Sequence, residues 1–436
     1  MSWRYRKKHF IVVLYSMNYK IIVERFARRL YYRILVLLYA LPRFFIKKAI
    51  KHSCRANVVF VISSIAMWRL QDVYDILCKD DRYCVSIVIA PFDTYSKQEQ
   101  IKSIDELHNY FDSLGIRYVD AINGNLDPHV WKGMNPQIVF YQQMYSTIYH
   151  GTLALMNNLD KLICYFPYGI ITVKGVWVYN SKYINLAWKV FYQTELHRSF
   201  AKSHSFNKGR NVEVVGEPRF EQINSYLEAM RLNNRLCTPE KKTIIWAPHF
   251  SINQGYLSRA SFLYIAATML EVADSYPQIN FVLKPHPRLI SELYKHPDWG
   301  KDKTDAYFSS WDEGKNTAII TGDYISLFCE SCAMIHDCGS FTAEYIYTTK
   351  PALFISNDFS SVYRELDSFG SMCMDLHYKG DSKHDIISFI NEVVINNNDP
   401  LKSRRQEFHD SYLSSNKGDA VGERIMRILS DSLFDC

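Results

Sequence analysis

Glycine and proline are scarce in this chain, 17 and 14 among 436 residues, so a collagen-like repeat and a low-complexity disordered chain are both excluded. Cysteine occurs ten times (Cys54, Cys78, Cys84, Cys164, Cys237, Cys329, Cys332, Cys338, Cys373, Cys436) without the spacing of a disulfide framework, which points to a reducing cytoplasm. The one cluster, Cys329, Cys332, His336 and Cys338, lacks the second set-apart ligand pair of a structural zinc site, so no metal site is expected. A usable dinucleotide-binding GxGxxG and a GxxxxGKS/T phosphate loop are missing, leaving nicotinamide redox chemistry and P-loop ATP hydrolysis without support. What is present is a composition 48% hydrophobic and 22% charged, that of a globular protein with real cores and room for about two domains.

Acidic residues are nearly missing from the first 51 positions, where thirteen Lys and Arg stand against Glu24 alone. That segment is +12 in a chain of net +6, so the remainder is a mildly acidic body of −6. Its longest uncharged runs, Phe10–Tyr19 and Ile34–Pro42, fall short of the roughly 18–20 residues of a spanning helix, and no small-residue cleavage site follows them. Ile22, Phe26, Leu30, Ile34, Leu37 and Leu41 recur at helical spacing, with Arg25, Arg28, Arg29 and Arg33 on another face and aromatic residues interleaved. Residues 1–52 are therefore expected to be a basic amphipathic arm lying on an anionic membrane surface, its removal leaving a folded body. Packing of its apolar side on the body is the plainer alternative. No RNA-binding fingerprint supports nucleic acid as a partner.

After Cys54, short β-branched and aromatic runs alternate with helical stretches. Strands are predicted at Val58–Ile62, Val85–Ala90, Arg117–Val119, Ile138–Tyr141, Leu162–Phe166 and Val212–Val215, then at Thr243–Trp246, Asn280–Leu283, Ala318–Ile320, Ala333–His336 and Ala352–Ile355. The alternation implies two α/β domains with parallel sheets, 55–235 and 238–400, followed by C-terminal helices over 401–436. The cleft between them is the expected site, since open parallel sheets bind ligands beyond the carboxyl ends of their strands.

In the second half, polar residues collect where strands stop. Thr243–Trp246 runs into Ala247-Pro248-His249, Asn280–Leu283 into Lys284-Pro285-His286-Pro287-Arg288, and Ala333–His336 into Asp337-Cys338-Gly339-Ser340 at a helix start. His286 is confined by a proline on either side, which suits a group that must meet a pyrophosphate as its charge develops. Gly339 and Ser340 offer backbone N–H groups and a hydroxyl to phosphate, while Lys284 and Arg288 are candidate phosphate contacts. His249 joins His286 as a catalytic candidate, and no metal or cofactor is called for.

The series Gly216-Glu217-Pro218-Arg219-Phe220, Ile244-Ile245-Trp246-Ala247-Pro248, Leu283-Lys284-Pro285-His286-Pro287, Ala333 to Ser340 with Glu344, Lys350-Pro351-Ala352, and Lys417-Gly418-Asp419-Ala420 with Arg424-Ile425 resembles the CDP-glycerol glycerophosphotransferase family, which includes teichoic-acid polymerases. The likeness covers about Val212–Leu429. It implies a GT-B fold of two Rossmann-like domains facing a central cleft. It also implies attachment to the cytoplasmic face of the membrane and transfer of a polyol phosphate from a nucleotide-activated donor such as CDP-glycerol to a lipid-linked acceptor. On this resemblance His286 contacts the donor pyrophosphate, and Asp337, Gly339, Ser340 and Glu344 hold the nucleotide and its phosphates.

The sequence departs from the family where a His-Gly pair, whose histidine is the general base, is expected on the acceptor side. Tyr168-Gly169 stands there instead, and a tyrosine of ordinary pKa near ~10 is a poor base at neutral pH. Either Tyr168 shapes the site, or another group such as His249 is the base, or the substrate differs. The family's Ala-Pro-Thr-Trp-Arg is also Ala247-Pro248-His249-Phe250-Ser251 here. A GT-B glycosyltransferase using a nucleotide sugar, and a non-catalytic membrane-bound assembly protein, stay open as alternatives.

Overall fold

The computed structural model describes residues 23–91, 97–122, 125–144, 149–232, 241–252, 260–414 and 418–434. The arm's first cations (Arg4, Arg6, Lys7, Lys8, Lys20), the turn at Thr238-Pro239-Glu240, the helix start expected at Tyr256, and Lys417 lie outside the described residues.

Seven strands, β1 Ala56–Ile62, β2 Tyr83–Ile89, β3 Tyr118–Asp120, β4 Ile138–Tyr141, β5 Leu162–Tyr165, β6 Lys189–Tyr192 and β7 Val212–Val214, form one sheet in the order β3-β2-β1-β4-β5-β6-β7. Six more, β8 Lys242–Ala247, β9 Ile279–Leu283, β10 Thr317–Ile319, β11 Ala333–His336, β12 Ala352–Ile355 and β13 Tyr378–Gly380, form a second in the order β10-β9-β8-β11-β12-β13. Every pairing within both is parallel, so helical crossovers cover both faces. That burial explains why the strands read as continuous apolar runs. Val59 and Val61 enter one core layer while Val58, Phe60 and Ile62 enter the other, with Phe60 stacked on Phe140 of the neighbouring strand at 4.7 Å. In the second sheet Ile244 and Trp246 face one layer, Ile245 and Ala247 the other.

The strand order reverses between β1 and β4 in the first sheet and between β8 and β11 in the second. These switch points open the crevices in which doubly wound sheets bind ligands. β6 and β13 are the strands absent from the sequence reading; β13, Tyr378-Lys379-Gly380, carries no apolar run.

The C-terminal helices do not stay together. Lys402–Phe408 remains with the second sheet, Phe408 packing in its core, whereas Val421–Leu433 crosses back to the first, where Val421, Ile425, Leu429 and Leu433 are buried. The crossing is fixed by Glu221, whose carboxylate accepts from the Val421 N–H at 2.9 Å and from Arg424 at 3.2 Å. A second tie between the domains is a short antiparallel bridge of Val173 with Leu366. The Lys174 N–H donates to the Glu365 carbonyl at 2.7 Å and the Asp367 N–H to the Thr172 carbonyl at 3.0 Å. Gly370 is required beside it, because a Cβ there would lie 2.1 Å from the Thr172 oxygen.

The arm is helical over residues 23–38 and Ala40–Ser53, and it has two faces. Tyr32, Leu35 and Tyr39 pack on the first domain's core, Ile50 is buried, and Arg43 donates to the Leu159 and Leu186 carbonyls at 2.9 and 2.8 Å. The arm is thus part of the body on one side, and removing residues 1–51 would uncover core. Its other side leaves Phe26, Leu30, Leu37, Leu38, Leu41, Phe44 and Phe45 in solvent. Among the described residues no helix is long and apolar enough to cross a membrane.

Candidate active site

The second sheet places β9, β8 and β11 side by side, so the segments carrying His286, His249 and Asp337–Ser340 leave it at one edge, next to the switch point. They are bonded to one another. The His286 N–H donates to the Pro248 carbonyl at 3.1 Å and the Lys284 N–H to the Trp246 carbonyl at 2.8 Å, clamping the first two loops. The His249 N–H donates to Asp337 at 2.6 Å, tying in the third. The two imidazoles meet edge to face at 5.1 Å between centroids, with Phe250 against both at 4.4 Å and the Arg288 guanidinium over Phe250 at 4.4 Å.

Hydrogen bonds set the ring tautomers. Backbone N–H groups can only donate, so His286 Nδ1 accepts from Arg288 at 3.2 Å and His249 Nδ1 accepts from Ser251 at 3.3 Å. In the neutral rings the hydrogen then sits on Nε2 of both. That tautomer makes each imidazole a donor to an anion. Burial first, then the fields of His249, Arg288 and Lys284, push His286 down to about 2, so it is uncharged at neutral pH. Lys284, 5% exposed, is lowered by burial and only partly sustained by Cys338 and Asp323. The buried Lys284 ammonium, the neutral imidazole of His286 with its Nε2–H, and the partly exposed Arg288, which also pairs with Glu292 at 3.2 Å, offer donors and positive charge to an anion such as a pyrophosphate.

Asp337 is fully buried. Its carboxylate accepts from His249 N–H, from Ser261 N–H and from the Ser261 hydroxyl at 2.8 Å, so it ties residues 249 and 261 together. Burial raises it to about 6 against those donors. The geometry gives the Asp337 carboxylate the role of tying residues 249 and 261 to the third strand end. Gly339 is half-buried and Ser340 exposed, and the Ser340 hydroxyl caps no backbone group of the helix Phe341–Glu344 that it precedes.

Glu344 points away from that rim, into the domain interface. There it meets Arg69 at 3.4 Å and accepts from the Tyr324 hydroxyl. This places it in an interdomain cluster with Arg69 and Tyr324. Tyr168 and Gly169 lie across the same interface, half-buried, with the Tyr168 carbonyl accepting from Arg69 Nε at 2.6 Å. Arg69 belongs to no motif, and no sequence signal would have found it.

Glu217, of the Gly-Glu-Pro-Arg segment, completes the cluster. It accepts from Gln193 Nε2 at 3.1 Å and is raised to about 7 by burial, Arg69 opposing and Glu344 assisting the rise. A carboxyl whose folded pKa lies above its ordinary 4.5 contributes stability that is complete below about pH 4.5 and lost as pH rises through about 7. Glu217→Gln keeps the shape and removes the titration. Between pH 5 and 7.5 the thermal midpoint of the unsubstituted protein should decline relative to that of the variant, as scanning calorimetry would show; parallel curves would contradict the assignment.

The thiols of Cys329, Cys332 and Cys338 point at three separate carbonyls, those of Ile223, Thr243 and Ala247. Among the described residues no group of three or more metal-ligating side chains converges.

Comparison with known proteins bears on this arrangement. No curated protein matches the sequence significantly. Among solved structures, the fold is similar to MnaA of S. aureus with UDP (15% identity, TM-score 0.55, covering 87% of this chain and 97% of that one). It is also similar to the UDP-GlcNAc 2-epimerase of Neisseria meningitidis bound to UDP-GlcNAc (14%, 0.53, 86% and 100%). A variant of the wall teichoic acid polymerase TagF matches over 94% of this chain and 99% of its own, at 12% identity and TM-score 0.56. At such identities the likeness is one of fold, and it is the GT-B arrangement of two Rossmann-like domains. The sequence model of the CDP-glycerol:poly(glycerophosphate) glycerophosphotransferases matches residues 179–430. That span exceeds half of the chain and contains the whole histidine-bearing rim, and the chain therefore belongs to the CDP-glycerol:poly(glycerophosphate) glycerophosphotransferase family.

Proposed function

We propose that this transferase moves a polyol phosphate, glycerol phosphate or a close relative, from a CDP-activated donor to a lipid-linked glycan or polyol acceptor at the cytoplasmic face of a membrane. The observation that carries the donor half is the rim of Lys284, His249, His286 and Arg288 beside Gly339 and Ser340, all on neighbouring strand ends. An acceptor hydroxyl attacks the phosphorus bearing the polyol, the bond to CMP breaks, and the proton is lost on the acceptor side. Nε2–H of His286, with Lys284 and the amides near Ser340, stabilises charge on the phosphate oxygens as the bond breaks. The acceptor half draws on the first domain, with the Tyr168-Gly169 turn facing the second. A domain division near 55–235 and 238–400 fits this separation of donor and acceptor.

A nucleotide-sugar reading is kept alive by one observation, the tyrosine at 168 where the family has its base. Incubation of the full chain with a lipid-linked acceptor and CDP-glycerol, CDP-ribitol or a panel of nucleotide sugars decides between them. CMP release with gain of one polyol phosphate on the acceptor is expected. Transfer of a sugar instead, or no turnover with any donor, would overturn the proposal.

A further inference from the structure

Arg69 stands at the switch point of the first sheet, after β1, and its N–H donates to Gln142 Oε1 beyond β4 at 2.9 Å. Its guanidinium is buried and reaches three groups in three directions. Nε donates to the Tyr168 carbonyl at 2.6 Å, Nη1 to the Tyr324 hydroxyl at 3.1 Å, and Nη2 to Glu344 at 3.4 Å. Tyr324 passes its own hydrogen to the other oxygen of Glu344. Two of these partners belong to the second domain, and Glu344 ends the short helix that follows Gly339 and Ser340. The third is the turn that stands on the acceptor side. One rigid fork of N–H donors therefore touches both halves of the site, a shape that lysine cannot reproduce.

We propose that Arg69 is a positioning residue that keeps the acceptor-side turn at Tyr168-Gly169 and the donor-side helix after Ser340 in register across the domain interface. It contacts neither substrate. The domains have other ties, the Val173–Leu366 bridge and the Glu221–Arg424 crossing, so loss of Arg69 misaligns the half-sites without separating the domains. The Arg69–Glu344 pair is part of this role, and Glu217 sets its charge balance from the other side.

The inference rests on the reading of donor and acceptor halves, and its test has one arm that does not depend on it. Arg69→Lys and Arg69→Gln, which leave Glu344 and its bond from Tyr324 in place, are compared with the unsubstituted full chain. With CDP-glycerol, kcat for transfer to the lipid-linked acceptor should fall about 30–100-fold, the scale on which ångström misplacement acts. Affinity for CMP and the slow hydrolysis of CDP-glycerol by water, which need only the donor half, should stay within about threefold. Equal losses in transfer and hydrolysis, or unchanged transfer, would overturn the proposal. Independently, amide hydrogen exchange should rise at residues 168–170 and 341–345 together in both variants; exchange equal to that of the unsubstituted chain at either segment would overturn it as well. Should the unsubstituted chain fail to turn over CDP-glycerol at all, the donor assignment fails while the exchange measurement still decides the coupling.

Discussion

Replacing His286 by alanine should lower kcat for transfer by about 10²–10³-fold, the usual loss on removing a preorganised donor to developing charge. The size follows from the geometry. Nδ1 is occupied by the Arg288 N–H, which leaves Nε2–H as the donating edge, and flanking prolines with the Pro248 carbonyl hold the ring against reorientation. A donor fixed before the reaction incurs no reorganisation when the phosphate charge shifts. With its pKa pushed down to about 2, the ring is neutral between pH 5.5 and 8, so its contribution to kcat should not titrate over that range. His286→Gln, which keeps an N–H on a different stem, should recover part of the loss. The fold is checked by thermal midpoint, which should shift little for a half-buried ring. Turnover of His286→Ala equal to that of the unsubstituted enzyme would remove the histidine from the chemistry and with it the proposed donor site.

The second large effect concerns the arm. The outward face carries Leu37 at 73% exposure, Phe26 at 67%, Leu41 at 61% and Phe44 at 58%. Arg25, Arg28, Arg33, Lys48 and Lys51 are exposed around it. An apolar ridge bordered by cations matches an anionic bilayer, which rewards each surface cation by about 1 kcal/mol and each half-inserted large apolar side chain by a similar amount. Changing Phe26, Leu37, Leu41 and Phe44 together to serine should therefore reduce partitioning onto phosphatidylglycerol vesicles roughly a thousandfold at low salt. The inner face is untouched in that variant, so Arg43 keeps the Leu159 and Leu186 carbonyls and Ile50 stays buried. Deleting residues 1–51 would be a poorer test because it opens the core on which Tyr32, Leu35 and Tyr39 pack. Raising salt should weaken the binding of the unsubstituted chain, as screening of the cations requires. Sedimentation of the tetraserine variant equal to that of the original would refute the membrane-surface proposal.

Much of the architecture was legible because its signals are local. Apolar runs bounded by turns marked eleven of the thirteen strands, and β4, β11 and β12 were placed to the residue. The loops carrying His249, His286 and Ser340 could be named from prolines and small residues at strand ends. Roles inside the site were less legible. Asp337 was read as touching ligand because it stands in a loop with Gly339 and Ser340, yet its carboxylate is consumed by Ser261 and His249, which no spacing rule connects to it. Glu344 was read as a donor-site acid, and its contacts with Arg69 and Tyr324 across the interface could not be read from spacing. The arm was read as membrane-bound or packed; one side of its helix packs on the first domain and the other is exposed.

The sequence alone determined two parallel α/β sheets, a rim of histidines and cations where the second sheet's strands stop, a basic helical arm, and the tyrosine that stands in the place of a base. Each of these is a property of residues a few positions apart, where helix and strand periods operate. Only the tertiary structure decided which groups meet across the cleft, because Arg69, Tyr168, Glu217, Tyr324 and Glu344 are brought together by strand order and by the docking of one domain on the other. A charged group buried at such a meeting point is stable only if its partners arrive from distant segments, and that condition is written in the packing of the whole chain.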